Sequence, residues 1–434
     1  MKERDIRILA QDQFISNNTW ITGINNNDLI IGPSGAGKTR GYVMPNLLQC
    51  SESMVVADTK GMLYREMGAS LERRGYRVLL LDFTDLMDSC GYNPLAYIRR
   101  DPRTGRYSEQ DIMTLSACLV PIESEREPFW EQSARMYLAS MTAYVLECLP
   151  EEEHTLEYVM HLFREAASPN FGKLFQELGT GDPDSFAYRM YKTYEANKQS
   201  ERTHASILAF VAEKLNVLSF DGPIRIYSLP DQVDFRALGR ERTAVFLTIS
   251  DTDRSMDRLA NLFYTQALHI LCDSADNDYP DHQLPVPVRF ILDDFATNAV
   301  IPDFDRIISV IRSREISVSV IIQSITQLCA LYGDARSKTI INNCDNCLYL
   351  GGQDVETAQY IGVKANRTAH SILELPLDSA YLFTRGQRCK VVRKFDLTAH
   401  PRYRELPEAA RGSQDLPAAQ PLTAAGYDQE VQYE

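Results

Sequence analysis

The chain lacks any uninterrupted apolar run long enough to span a bilayer. Its opening, Met1-Lys2-Glu3-Arg4-Asp5, does not have the pattern of a secretory signal. Both absences lead to the expectation of a cytoplasmic protein. An excess of basic residues is missing too: 45 Lys+Arg stand against 59 Asp+Glu, a net charge of −14. That balance argues against wholesale coating of duplex DNA, although it leaves room for a strand gripped in a small basic channel. Cysteines number nine, odd and scattered, which fits reduced thiols and not a disulfide framework. Cys344 and Cys347 form a lone C-x-x-C beside the strand-like Leu348-Tyr349-Leu350, and without a second pair they read as structural. Two basic clusters stand out, Arg99-Arg100 with Arg103 and Arg106, and Arg385, Arg388, Lys390, Arg393 and Lys394. Each reads first as a solvated face.

What is present is organised around Asp28 to Thr39. Leu29-Ile30-Ile31 is a short apolar strand, and Gly32-Pro33-Ser34-Gly35-Ala36-Gly37-Lys38-Thr39 matches G-x-x-x-x-G-K-[ST] ahead of a helical start. The glycines let backbone N–H groups close around phosphate oxygens, and a helix N-terminus adds partial positive charge. Lys38 is expected to reach the β- and γ-phosphates of ATP, and the Thr39 hydroxyl to ligate Mg²⁺.

At 434 residues the chain exceeds one ordinary core. Strand patterns at Met54–Ala57 and Tyr76–Asp82 alternate with a helix ending near Arg74, which predicts an α/β, doubly wound, mostly parallel sheet. Between Ser108 and Leu218 strand signals vanish and amphipathic helices follow one another, including Asp111–Leu119, Phe129–Leu149 and Thr203–Leu218. Their Tyr, Met and Phe positions read as core. Sheet pattern returns at Ala244–Ile249, Val288–Leu292, Val318–Gln323, Cys347–Leu350 and Ala380–Phe383, with an exposed Asp- and Pro-rich linker at Asp276–Pro287. The expected organisation is a nucleotide-binding domain in two parts, 1–104 and 223–404, an all-α insertion at 105–222, and a disordered acidic tail at 405–434.

The strand ending in Asp293-Asp294 has the form of a Walker B element. Asp293 would hold Mg²⁺ through water, and Asp294 would orient or deprotonate the attacking water. Gln323 closes the next strand as a candidate γ-phosphate sensor, and Arg312 and Arg314 are candidate arginine fingers toward a neighbour's nucleotide.

Several motifs together resemble the type IV coupling proteins of the TraG/TraD type. They are Gly32–Thr39, Asp58-Thr59-Lys60-Gly61, Asn93-Pro94, Pro128-Phe129-Trp130, Ile291–Ala296, Ile311–Ser317, Gln323-Ser324 to Gln327-Leu328, and Cys344-Asp345 through Gly351-Gly352. The resemblance implies a RecA-like P-loop ATPase with an all-α domain, assembled as a homohexamer. It implies recruitment of a relaxase–single-stranded DNA complex and its delivery to the components of a type IV secretion channel. Three departures qualify it. The second Walker B acid is Asp294 where the family usually has glutamate, and Thr59 and Met62 replace the family's proline and glutamate. The family's membrane-spanning helices have no counterpart here, so membrane contact is expected only through a separate partner or a missing segment, at the cytoplasmic face. Two other functions fit the same residues: a ring ATPase acting on duplex DNA, or a nucleotide-gated adaptor with little turnover.

Overall fold

The computed structural model describes residues 6–49, 51–122, 128–168, 170–197, 201–295 and 300–411. Ala296 and most of the expected tail, 412–434, lie outside the described residues. Eleven strands are present among them: β1 (Ile6–Ala10), β2 (Gln13–Ser16), β3 (Asp28–Ile31), β4 (Ser53–Ala57), β5 (Arg77–Asp82), β6 (Thr243–Thr248), β7 (Val288–Leu292), β8 (Ile316–Ile322), β9 (Asn346–Tyr349), β10 (Ser379–Thr384) and β11 (Lys390–Arg393). The first two form an antiparallel hairpin; the other nine form one sheet in the order β11-β10-β9-β3-β8-β7-β4-β6-β5.

From β9 through β3, β8, β7 and β4 to β6 every pairing is parallel, whereas β9-β10 and β10-β11 are antiparallel. Every residue of β3, β4, β6, β7 and β8 is buried. This is why those segments read as continuous apolar runs, as strands covered on both faces must. The strand at Lys390–Arg393 was not expected from the sequence. Only Val392 is buried there, and an edge strand carrying Lys and Arg looks in sequence like a solvated charge cluster. A helix runs from Asp257 to Asp278, so Asp276, expected in the exposed linker, belongs to that helix.

The described chain divides into two compact units, one of 1–80, 234–251 and 268–434, the other of 81–233 and 252–267. The second is helical. Its centre is Phe129–Cys148, with Ala134, Tyr137, Leu138, Met141 and Val145 all buried. Tyr137 meets Tyr194 with ring centroids 4.4 Å apart, and Phe175 stacks on Tyr191 at 4.2 Å. The aromatic positions along these helices are therefore core.

In the first unit, His400 is buried within the segment that follows β11. Its Nδ1 accepts from the Arg402 backbone N–H at 3.1 Å. Burial, with Arg402 and Arg74 nearby, lowers its pKa to about 3. In the unfolded chain the imidazole titrates near 6.5. The unfolded state thus binds a proton below about pH 6.5 while the folded state stays neutral, so stability falls as pH drops from there toward 3. A His400→Gln variant should lose this share of the acid sensitivity. The expected difference is about 1.4 kcal/mol per pH unit below 6.5, read as the change in urea midpoint between pH 7.5 and 5.5 relative to wild type.

Candidate functional site: a phosphate-binding loop facing two carboxylates

The phosphate loop leaves the carboxyl end of β3 and is shaped by two residues that need positive φ, Gly35 at 78° and Gly37 at 91°. Gly32 stays bare for another reason. A Cβ there would lie 3.0 Å from both Ala36 Cβ and Leu350 Cβ. The chain then passes through a single wide helical turn, Thr39–Val43, into the buried helix Met44–Gln49. The turn is π-helical, a form that recurs at functional sites.

Lys38 folds back over the loop, its Nζ donating to the carbonyls of Gly32 at 2.9 Å and Pro33 at 3.2 Å. The same ammonium lies 3.6 Å from Asp294 Oδ1. The Thr39 hydroxyl donates to Asp293 Oδ2 at 2.8 Å, and Asp293 Oδ1 accepts from the Asp294 N–H at 3.1 Å. Burial raises the pKa of Asp293 to about 6, and the neighbouring Asp294 adds to the rise; the Thr39 hydrogen bond and Lys38 oppose it. A carboxylate held this way favours a nearby cation, and with the Thr39 hydroxyl it makes the hard oxygen donor set that suits Mg²⁺. Asp294 has φ of 48°, the left-handed region in which Asp and Asn are tolerated far better than Glu. The backbone thus gives a physical reason for aspartate at this position.

These residues line one cleft of about 330 Å³, together with Asp58, Thr59 and Lys60 at the end of β4. The sequence places Asp58 in the Asp58-Thr59-Lys60-Gly61 turn at a strand end but gives its carboxylate no partner. Its carboxylate in fact accepts from the N–H groups of Met62 at 3.0 Å and Tyr64 at 2.9 Å, which fixes the start of the helix Met62–Arg73. Gly61, at φ 60°, makes that turn possible. A second contact that the sequence does not show comes from Lys394, a member of the basic cluster that reads as a solvated face. Its ammonium donates to the Ala36 carbonyl at 2.9 Å, bracing the phosphate loop from outside.

The remaining predicted residues do not join the cleft. Gln323 follows β8, the strand beside β3, and its backbone N–H is held by Gln327 Oε1 at 3.2 Å. Arg312 and Arg314 precede β8, at the opposite end of the sheet from the phosphate loop. The two arginines differ. Arg314 is held bidentately by Asp276, at 2.8 and 2.7 Å. Arg312 is exposed and makes no ion pair among the described residues. Cys344 and Cys347 are buried free thiols, and burial pushes both pKa values up, that of Cys347 to about 11.

A glycine-rich phosphate loop at the carboxyl end of a parallel strand, facing a strand that ends in two carboxylates, defines a P-loop NTPase fold. The model of the family described as "Type IV secretory system Conjugative DNA transfer" matches residues 6–368, and the chain belongs to that family. It is 25% identical over 363 residues to protein VirD4 of Agrobacterium fabrum, covering 79% of this chain and 51% of that protein. Protein VirD4 of Rhizobium radiobacter is 25% identical over 363 residues, with 79% and 49% covered. The chain therefore spans about half the length of the curated relatives it matches. Among solved structures it resembles the bacterial conjugative coupling protein TrwBdeltaN70 in complex with sulphate, with a TM-score of 0.62, 17% identity and 85% of each chain covered. TrwB in complex with ADP and Mg²⁺ gives a TM-score of 0.60 at 17% identity, again with 85% of each chain covered. No helix among the described residues is long and apolar enough to cross a membrane.

Proposed function

We propose that this chain is the ATP-hydrolysing part of a coupling motor that recruits a relaxase–single-stranded DNA complex and drives it into a type IV secretion channel. The observation that carries this reading is the meeting of Lys38, Thr39, Asp293 and Asp294 in one cleft. Lys38 turns from the carbonyls of its own loop to the β- and γ-phosphates of ATP. Thr39 and Asp293 would hold Mg²⁺, whose bound charge offsets the negative charge that develops on the transferring phosphate. Asp294 orients the attacking water and accepts its proton. Family membership and the likeness to TrwB, which has been solved with ADP and Mg²⁺, support the choice of nucleotide and metal.

Of the two arginines, Arg312 is the one free to act in a neighbour's site, which calls for a ring of identical subunits, a homohexamer in this reading. An Arg312→Ala variant should bind ATP normally yet hydrolyse it about 10³-fold more slowly. Doping it into wild-type rings should suppress turnover more than its mole fraction accounts for. Arg314→Ala should instead cost up to about 1 kcal/mol of stability, through loss of the pair with Asp276. Sizing the chain with and without a non-hydrolysable ATP analogue and Mg²⁺ tests the ring directly; a monomer under both conditions, with turnover untouched by Arg312→Ala, contradicts it. Action at the inner membrane, through a separate membrane partner or a segment outside this chain, belongs to the same proposal.

One observation favours a second reading, an adaptor that binds ATP with little turnover. Asp294 is one methylene shorter than glutamate and lies 3.6 Å from Lys38, a placement that in this reading leaves the attacking water less firmly held.

A further inference from the structure

Three cationic side chains line the cleft: Lys38, Arg40 and Lys60. Two have partners within the chain. Lys38 is bound to the carbonyls of Gly32 and Pro33 and faces Asp294, and Arg40 is paired with Glu408 at 2.6 Å. Lys60 is exposed, and its side chain makes no hydrogen bond or ion pair among the described residues. Its backbone, by contrast, is firmly placed. The buried Asp58 carboxylate holds the turn on one side, and Arg65 donates to the Lys60 carbonyl at 2.7 Å on the other. Among the described residues, an unpaired cation is thus set on a fixed turn at the rim of this cleft.

Its place in the sheet says which phosphate it meets. The strands stand in the order β3-β8-β7-β4. The phosphate loop follows β3, Asp293 and Asp294 follow β7, and Lys60 follows β4. Lys60 is therefore on the far side of the two carboxylates from the phosphate loop. A nucleotide whose inner phosphates lie in the loop extends only its terminal phosphate in that direction.

We propose that Lys60 is a specificity-determining residue that distinguishes a nucleoside triphosphate from a diphosphate by contacting the terminal phosphate opposite the phosphate loop. The inference rests on the nucleotide-binding reading of this cleft. A diphosphate, held entirely by the loop, does not reach the Lys60 ammonium; a triphosphate does, and gains a charge-assisted hydrogen bond. On hydrolysis this contact leaves with the phosphate, so Lys60 also biases the site toward ATP after each turnover.

The test measures equilibrium binding of ADP and of a non-hydrolysable ATP analogue, each with Mg²⁺, to the full chain and to Lys60→Ala and Lys60→Arg. Because the Lys60 side chain is exposed, and the Arg65 contact is made by the Lys60 backbone carbonyl, which alanine keeps, Lys60→Ala should fold as wild type does. It should bind the analogue about tenfold more weakly and ADP within about twofold of wild type, and Lys60→Arg should recover most of the loss. Equal losses for both nucleotides, or no loss for either, would overturn the inference while leaving the nucleotide site in place. A wild-type chain that binds neither nucleotide would overturn the reading of the cleft, and this inference with it.

Discussion

Asp294→Asn should bind ATP with nearly wild-type affinity and hydrolyse it about 10²–10⁴-fold more slowly. Asparagine suits the position because, like aspartate, it accepts the left-handed backbone at φ 48°. The substitution removes the proton-accepting charge without refolding the turn. It also removes the negative partner of Lys38 at 3.6 Å, which frees that ammonium for phosphate. Binding should consequently hold or tighten as turnover falls. Single-turnover hydrolysis alongside equilibrium binding separates the two effects. A fall in both together would mean that Asp294 positions the nucleotide and does not activate water. Asp294→Glu is the informative companion: it restores the family's usual acid but places a longer side chain in a backbone conformation costing roughly 1–2 kcal/mol.

The second large effect lies at the other end of the sheet. Arg289 sits in β7 fully buried, with its Nε donating to Glu52 Oε1 at 2.6 Å and its Nη1 to the Asn26 carbonyl at 3.0 Å. Asp28, 3.7 Å from Arg289, also takes two hydrogen bonds from the buried Arg7, at 2.8 and 3.2 Å. Burial works against the charge of Arg289, but Glu52 and Asp28 outweigh it, and the guanidinium is held protonated. Arg289→Ala leaves Glu52 and part of the Asp28 charge buried without a partner, and should cost about 3–5 kcal/mol. That is a large part of the whole stability of an ordinary domain, about 5–15 kcal/mol. Replacing both partners, Arg289→Met with Glu52→Leu, should recover much of it, because the uncompensated charge goes too. Urea unfolding of the two single variants and the double variant measures this coupling; strictly additive losses would contradict it.

Arg289 also marks where sequence reading stops. In Val288-Arg289-Phe290-Ile291-Leu292 it looks like a polar interruption in an apolar strand. Its partner Glu52 lies 237 residues away in sequence, so only the folded sheet brings them together. The strands themselves were legible wherever both faces are buried, since they then read as apolar runs rich in β-branched residues and too short for a buried helix. Lys390–Arg393 was not, because an edge strand is polar by necessity. The phosphate loop and the Asp293-Asp294 pair could be read because a short motif fixes local geometry. The roles of Asp58 and Lys394 could not: one depends on a turn through Gly61, and the other on a strand end 358 residues from the carbonyl it grips. Arg312 and Arg314 are equivalent in sequence, and only the position of Asp276, 38 residues upstream of Arg314, tells them apart.

The most direct test of the central claim is steady-state ATP hydrolysis with and without single-stranded DNA, with Lys38→Ala measured in parallel. A motor predicts turnover that rises with DNA and disappears with the substitution. Tight ATP binding with no hydrolysis under either condition, or hydrolysis that survives Lys38→Ala, would contradict it.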